Sequence, residues 1–243
     1  MKHLLIVGRP GAGKTALVAR LVHSLRGRPV DGLMTEELRE GGERLGFWLS
    51  SLDGRQALLA HRGIESPYRV GAYKVNVGLI DEMAVGIVRR AMAKAHLLVV
   101  DEIGRLLLCS QAFQDAFEEA LTHGPRIIAT ASSQPLPFVD QLKRRRDVEL
   151  VPLTHATWQP VCEELTTRLQ ALCQEDAQVE CLQRQADHIC EMIVSMDVPE
   201  IDIEIQQTQL REAVARVFPD KQSLYQLLYE GRFRRLWLQF RQS

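Results

Sequence analysis

The strongest constraint on this chain lies near its start, where a short apolar strand leads through a glycine-rich loop into a helix. Residues 4–7 are all apolar, and residues 16–22 have the spacing of an amphipathic helix. The segment between them matches the pattern G-x-x-x-x-G-K-[ST] in its strand–loop–helix setting, which makes it a phosphate-binding loop of the Walker A type. The residues that we expect to bind nucleotide are Gly8, Arg9, Pro10, Gly11, Ala12, Gly13, Lys14 and Thr15.

Phosphate chemistry explains the residue types of this loop. Glycine at positions 8, 11 and 13 removes side chains that would hold the backbone away from phosphate, and it permits the positive φ angles that turn N–H groups inward. Lys14 supplies a point charge to the β- and γ-phosphates, so we expect it to act in catalysis as well as in binding. The Thr15 hydroxyl is a hard oxygen ligand suited to Mg²⁺. The helix that follows places its positive dipole end under the anion.

The second half of the predicted site is the pair Asp101-Glu102, which ends a run of four apolar residues at 97–100. Such a run is typical of a strand that is covered on both faces, as in a parallel sheet. Acidic residues at the carboxyl end of a neighbouring parallel strand lie in the crevice where ligands bind. We therefore expect Asp101 to hold Mg²⁺ through its water shell, and Glu102 to orient or deprotonate the attacking water.

Three hydroxyl residues follow the next strand along the chain. A hydroxyl at this place can sense the γ-phosphate or the water, but polar residues after strands are common and need no function. Both interpretations stay open for Thr130, Ser132 and Ser133.

Strands and helices alternate as far as about residue 157, which predicts an α/β domain with the three-layer P-loop NTPase fold and a mostly parallel sheet. Extended segments at 32–39 and 44–52 flank Gly41-Gly42, and a third follows Asp53-Gly54, so a β-hairpin or three-stranded antiparallel meander is inserted. The run 68–75 predicts another short extended piece.

The rest of the chain predicts mainly helix. We expect helices over 159–173 and 175–196, with Pro199 and Pro219 as breakers, although 201–205 alternates like a strand. The predicted domains are residues 1–172, the P-loop domain, and residues 173–243, a helical C-terminal extension.

Composition excludes few function classes. The chain of 243 residues is 46% hydrophobic and 25% charged, with a net charge of −1, so charge gives no push toward nucleic acid or anionic membranes. Neither a membrane-length apolar run nor a signal peptide is visible, and we expect a cytoplasmic location without a membrane partner. The odd count of five cysteines without C-x-x-C fits free thiols. A metal site from Cys173, Cys181, His188 and Cys190 is conceivable, but cysteines packed on an amphipathic helix explain the pattern better.

Several further motifs give the sequence a specific resemblance. The run DGLMTEELREGGERLGF at 31–47 resembles the signature GFYTEEVREGGRRxGF of the small P-loop nucleoside-triphosphatases, the thermophile and cancer-related nucleoside-triphosphatase family. Residues 69–75, 101–104 and 109–113 are similar to that family's RVGxYxV, DEIG and FSQxF. The likeness runs in order from residue 1 to about 169. It implies a monomeric or weakly associating Mg²⁺-dependent enzyme that hydrolyses ATP, GTP and other triphosphates with little base selectivity.

Two departures from the family pattern concern the site. Leu106 and Leu107 stand where the family usually has methionine and glutamate, and Thr157-Trp158 replaces an Asn-Arg pair. If that arginine neutralises phosphate charge, another residue must replace it. The candidates are Arg9, Arg39, Arg44 and Arg105, each of which is equally explained as a solvated surface arginine.

The sequence leads to a nucleoside-triphosphatase as the first hypothesis. A nucleotide-dependent switch with little turnover, acting through its C-terminal module, is the alternative that the substituted positions favour. A small-molecule kinase is weaker, because no arginine-rich lid segment is evident. The mixture of aromatics and arginines at 225–241 is compatible with nucleic acid or an acidic partner. Its many large apolar groups favour a helical module that docks on the P-loop domain instead.

Overall fold

The computed structural model describes residues 2–25, 27–195, 197–219 and 223–241, without the side chain of Leu224. It divides the chain into two compact units, residues 1–169 and 170–243, and the boundary falls within one helix. Each unit has a hydrophobic core of its own.

The first unit is built on a single sheet of nine strands. The strands are β1 (His3–Gly8), β2 (Val30–Glu40), β3 (Glu43–Ser51), β4 (Gln56–His61), β5 (Arg69–Val70), β6 (Tyr73–Val75), β7 (Leu97–Asp101), β8 (Arg126–Ser132) and β9 (Val148–Pro152). Their order across the sheet is β5-β6-β4-β3-β2-β7-β8-β1-β9. The five strands from β2 to β9 at one end pair in parallel, and the remaining pairs are antiparallel. The predicted P-loop NTPase fold is therefore confirmed.

Helices cover both faces of the parallel strands. The helices of this unit are α1 (Lys14–Ser24), α2 (Val77–Leu79), α3 (Val85–Lys94), α4 (Gln111–His123) and α5 (Pro137–Leu142). Leu5 packs with Phe113 and Phe117 of α4 in the main core. Leu4 and Ile6 alternate with Leu5 along β1 and are buried on the other face, where α1 contacts β1, β7 and β8. The continuous apolar run of β7 is buried along its whole length, as the sequence predicted.

One prediction about strand order was wrong. The sequence pattern predicted Asp101 and Glu102 on a strand neighbouring β1, but β8 lies between β1 and β7 and pairs in parallel with both. The carboxylates are thus two strands away from the phosphate-binding loop. The carboxyl ends of all three strands still meet at one edge of the sheet.

The inserted meander continues the main sheet. β2 is long enough to serve two partners, because residues 30–34 pair with β7 and residues 33–40 pair with β3. The predicted hairpin is present as β2 and β3, and the predicted third strand is β4. The extended piece at 68–75 is a small hairpin, β5 and β6, which turns at Gly71 with φ 59°.

Some helix boundaries differ from the sequence patterns. The spacing of Leu79, Met83, Ile87 and Ala91 predicts a helix at 79–95, which a π-helical turn, Ile80–Ala84, interrupts. The run 137–146 predicts a basic helix up to Arg146, whereas the helix of the structure ends at Leu142. Ser110 precedes a helical pattern and is thus a predicted N-cap, and its side chain accepts a hydrogen bond from the Phe113 N–H at the start of α4.

The second unit is helical. It contains the end of α6 (Trp158–Val194), then α7 (Glu200–Val217), α8 (Ser223–Tyr225), a π-helical turn (Gln226–Glu230) and α9 (Gly231–Phe240). The two helices predicted before Pro199 are one continuous helix, and Met196, their expected end, lies outside the described residues. The strand-like run at 201–205 belongs to α7, because Ile203 shares a buried helical face with Leu210 and Val214.

This unit buries much of its apolar content in its own core. The buried residues are Leu182, Ala186, Ile189, Cys190, Ile193, Ile203, Leu210, Val214, Tyr225 and Phe233. We expected docking on the P-loop domain because the aromatic residues must be removed from water. Burial within the helical unit itself meets part of this need. Docking stays a prediction.

Two absences hold for the residues that the structure describes. None of their helices combines the length and apolarity needed to cross a membrane. In the same residues no group of three or more His, Cys, Asp and Glu side chains is placed to hold a metal ion. Cys190 packs in the helical core, as the interpretation of cysteines on an amphipathic helix implies, whereas Cys181 is exposed.

The side chain of Arg241 binds backbone carbonyls at the carboxyl end of α6. Its guanidinium donates hydrogen bonds to the backbone carbonyls of Ile193 at 3.0 Å, Val198 at 2.8 Å and Met192 at 2.8 Å, and also to that of Ser195. The last carbonyls of a helix lack partners within the helix, so a cation here satisfies several of them and complements the helix dipole.

We predict that Arg241→Ala lowers the free energy of unfolding by about 1–3 kcal/mol, because it leaves these partly buried carbonyls without donors. Urea unfolding followed by the helical circular dichroism signal measures the change. Arg234→Ala is the matched control, because Arg234 is exposed on the neighbouring helix. Equal unfolding midpoints for the two variants would contradict the capping role.

Candidate active site

The loop between β1 and α1 has the backbone that close contact with phosphate requires. Gly11 and Gly13 have φ angles of 81° and 86°, in the left-handed region that favours glycine. Gly8 has another reason to be glycine, since a Cβ there would lie 2.6 Å from the Leu153 carbonyl oxygen. The exposed residues of the loop are Arg9, Pro10, Gly11 and Thr15, whereas Ala12 is buried.

Lys14 points back into the loop. Its side chain is 7% exposed, and Nζ donates hydrogen bonds to the carbonyls of Gly8 at 3.1 Å and Arg9 at 3.4 Å. The same Nζ lies 3.1 Å from Oε2 of Glu102, whose side chain is 32% exposed. The structure thus brings together the two residues to which the sequence assigned catalysis, across the intervening strand β8.

Asp101 lies beside them with half of its carboxylate unsatisfied. The residue is 1% exposed, and Oδ1 accepts a short hydrogen bond from Thr130 Oγ1. Oδ2 is buried and has no hydrogen-bond partner among the described residues. Buried carboxylate oxygens normally have partners, because desolvation without compensation is costly. A hydrated cation next to Oδ2 would satisfy this oxygen.

Thr130 is the residue of this hydroxyl group whose side chain hydrogen-bonds a predicted site residue, Asp101, in the described part of the chain. It is fully buried at the end of β8, between the loop strand and β7. The Ser132 hydroxyl instead accepts a hydrogen bond from the Gln134 N–H, and the Ser133 N–H donates to the Gly8 carbonyl. Of the two open interpretations, the structure gives Thr130 a place in the site.

Thr35 is a site residue that the sequence analysis did not identify. Its hydroxyl donates to the Asp101 carbonyl and accepts from the Glu102 N–H, both at 3.3 Å. The peptide bond between these two acidic residues is cis. The signal was present in the sequence, because Thr35 opens the Thr-Glu-Glu part of the family signature. Its partner became visible only with the register that pairs Met34 with Asp101.

The arginine candidates divide into two groups. Arg39 Nε and Arg44 Nη1 bind the Glu37 carboxylate at 2.7 Å and 2.6 Å, and Arg44 more than Arg39 lowers the pKa of that carboxyl. Arg44 also donates to the Tyr73 hydroxyl at 3.0 Å. These residues therefore contact one another within the inserted strands. Arg9 and Arg105 are exposed.

The departures from the family pattern have different surroundings. Leu107 is fully buried in the core of the first unit, and the partly buried Leu106 packs against the same core. Trp158 contacts the loop itself, because its indole Nε1 donates a hydrogen bond of 3.0 Å to the Gly13 carbonyl. A cavity of about 770 Å³ also borders the loop, with Pro10, Leu150 and His155 in its wall.

Comparison with known proteins agrees with this geometry. The sequence model of a family described as NTPase matches residues 3–166. The nucleoside-triphosphatase THEP1 of Thermotoga maritima is 38% identical over 167 residues, which cover 69% of this chain and 95% of that protein. The human cancer-related nucleoside-triphosphatase is 33% identical over 185 residues, covering 70% and 97%. The crystal structure of THEP1 from Aquifex aeolicus superposes with a TM-score of 0.61 at 30% identity, covering 67% of this chain and 96% of that one.

The relatives are matched over nearly their whole length, and the family model ends at residue 166, close to the boundary of the first unit. The loop, the acidic pair and the signature residues all lie within the matched region. The chain therefore belongs to the NTPase family and is a nucleoside-triphosphatase.

Proposed function

We propose that the protein hydrolyses nucleoside triphosphates such as ATP and GTP in a Mg²⁺-dependent reaction with little base selectivity. One observation carries the proposal: Lys14 and Glu102 form an ion pair inside the phosphate-binding loop, next to the unsatisfied Oδ2 of Asp101. One edge of the sheet thus carries a cation that can bind phosphate, a carboxylate that can act as a base, and a carboxylate oxygen that can accept a hydrogen bond from a hydrated metal.

The residues present fit Mg²⁺. Thr15, exposed at the start of α1, offers a hard hydroxyl oxygen, and the buried Oδ2 of Asp101 would accept a hydrogen bond from the water shell of the metal. Mg²⁺ held by Thr15 and, through its water shell, by Asp101 would neutralise negative charge that develops on the phosphates during transfer. Thr130 and Thr35 fix the side chain and the backbone of Asp101 for this task.

The side chains of this chain perform the remaining steps. When a triphosphate enters, the Lys14 ammonium exchanges Glu102 and the loop carbonyls for phosphate oxygens, which leaves the Glu102 carboxylate without its cation. Glu102 then orients water and accepts its proton at a carboxylate oxygen. Lys14 and the N–H groups of the loop stabilise charge on the transferred phosphoryl group.

Little base selectivity follows from where recognition occurs. The assigned residues, from Gly8 to Thr15 with Asp101 and Glu102, act on phosphates, metal and water. Those groups are common to all nucleoside triphosphates, so every such substrate meets the same reactive centre.

A nucleotide-dependent switch with little turnover is the second candidate, and the buried Leu107 at a usually polar family position favours it. Phosphate release in Mg²⁺, measured with and without small-molecule acceptors, separates the candidates. Hydrolysis predicts release of phosphate without an acceptor, and its loss on chelation of the metal. A switch predicts tight binding without release, and a kinase predicts phosphate transfer only with an acceptor.

We predict that Glu102→Gln keeps nucleotide binding and lowers the hydrolysis rate on the order of 10²–10⁴-fold, because the amide keeps the shape but cannot accept the proton. Lys14→Ala should weaken nucleotide binding itself. Single-turnover phosphate release and equilibrium dialysis with labelled nucleotide measure the two effects. A Glu102→Gln variant that hydrolyses at the parent rate would refute the assigned base.

We predict that Thr130→Val lowers the free energy of unfolding by about 1–3 kcal/mol and lowers the hydrolysis rate, because both carboxylate oxygens of buried Asp101 then lack donors. Thr130→Ser is the matched control, since it keeps the hydroxyl. Thermal melting and phosphate release are measured for both variants. The hydrogen bond would be unimportant if the valine and serine variants behaved alike.

A further inference from the structure

Trp158 is held against the end of the phosphate-binding loop. Besides the hydrogen bond from Nε1 to the Gly13 carbonyl, two indole atoms, Cδ1 and Nε1, lie 2.9 Å from the point where a Cβ of residue 13 would be. The Gly13 carbonyl also accepts the hydrogen bond of the Leu17 N–H at 2.9 Å, which begins α1. The indole is therefore attached where the loop becomes a helix, directly before Lys14.

The segment that leads to Trp158 is fixed on the sheet. The Leu153 N–H donates to the Val7 carbonyl at 2.8 Å. The Thr154 and Thr157 hydroxyls each accept a hydrogen bond from the other residue's N–H, at 3.2 Å and 3.0 Å. The indole is thus placed before any ligand arrives, so little ordering is needed when one binds.

The strand order gives a direction to a bound nucleotide. Glu102 and Asp101 follow β7, the loop follows β1, and Trp158 follows β9, in the sheet order β7-β8-β1-β9. Neighbouring strands lie about 4.8 Å apart, so three spacings between β7 and β9 amount to roughly 14 Å. If the γ-phosphate faces the carboxylates, the nucleoside end points away from β7, toward β9 and Trp158.

We propose that the nucleobase of the bound triphosphate stacks on the indole of Trp158, an inference that rests on the proposed function. Every base has a π-face, so an aromatic platform binds bases with little dependence on their hydrogen-bonding edges. The platform thereby supplies affinity for the nucleoside without selecting one base. Purines overlap the indole more than pyrimidines do, so ATP and GTP bind more tightly than CTP and UTP.

The test compares ATP with inorganic tripolyphosphate, which has the same phosphate chain but no base. Binding of both ligands to the full chain in Mg²⁺ is measured for the parent, Trp158→Ala and Trp158→Phe. We expect Trp158→Ala to weaken ATP binding roughly 5- to 100-fold and to leave tripolyphosphate binding within about 2-fold, as loss of one stacking contact implies. Trp158→Phe removes the N–H but keeps a ring, so its ATP affinity stays within about 3-fold of the parent.

Each other outcome overturns the inference. If Trp158→Ala lowered the affinities for ATP and tripolyphosphate equally, the role of Trp158 would be to shape the loop. A loss of ATP affinity in Leu150→Ala but not in Trp158→Ala would place the base in the neighbouring cavity. A parent chain that binds tripolyphosphate and ATP equally would refute base stacking alone, whereas a parent that binds neither would refute the proposed function as well.

Fluorescence supplies a second readout that a purely structural role would not change. The chain has three tryptophans, so Trp48→Phe with Trp237→Phe leaves Trp158 as the single emitter. Stacking predicts that ATP quenches this emission saturably and that tripolyphosphate does not. Unchanged emission at saturating ATP would contradict the proposal.

Discussion

The ammonium of Lys14 is the charge on which the site depends. It is almost completely buried, and a buried cation without partners is costly, so the surrounding chain must supply oxygen atoms. Two come from the backbone of the loop, and the third is a carboxylate oxygen of Glu102, two strands away. The parallel order β7-β8-β1 is what brings that carboxylate to the loop, so the arrangement of the sheet and the stability of the loop are linked.

Most residues of the family signature at 31–47 have a structural role. Arg44 lies between the Glu37 carboxylate and the Tyr73 hydroxyl, with its guanidinium 5.3 Å from the centre of the Phe47 ring. These contacts connect the strands β2, β3 and β6. The inserted strands cover the edge that β2 would otherwise expose at the end of the parallel sheet. Among the described side chains of the signature, that of Thr35 hydrogen-bonds the backbone of Asp101 and Glu102. The inserted strands therefore influence the site indirectly, because they hold β2 beside β7.

Sequence patterns predicted what depends on local chemistry, and they failed where distant pairing decides. The loop, the buried run before Asp101 and the cap at Ser110 each follow from neighbouring residues. The insertion of β8 between β1 and β7 does not, because strand order is set by packing of the whole sheet. The alternation at residues 201–205 was misleading for a related reason: Ile203 faces a core assembled from residues far along the chain, whereas Ile201 is exposed. Thr35 was missed because its role requires the register between two strands.

Replacement of an arginine by Trp158 changes which end of the substrate the protein controls. A cation at this position would add charge close to the phosphates, whereas the indole contributes an aromatic surface and one N–H, which the Gly13 carbonyl already uses. In the proposed mechanism, positive charge at the reacting end would then come from Lys14, the loop N–H groups and Mg²⁺. Binding of the nucleoside and chemistry at the γ-phosphate are thereby assigned to separate groups on opposite sides of β1. Because Gly13 connects them, with Trp158 on its carbonyl and Lys14 as the next residue, the position of the indole bears directly on the geometry of the catalytic lysine.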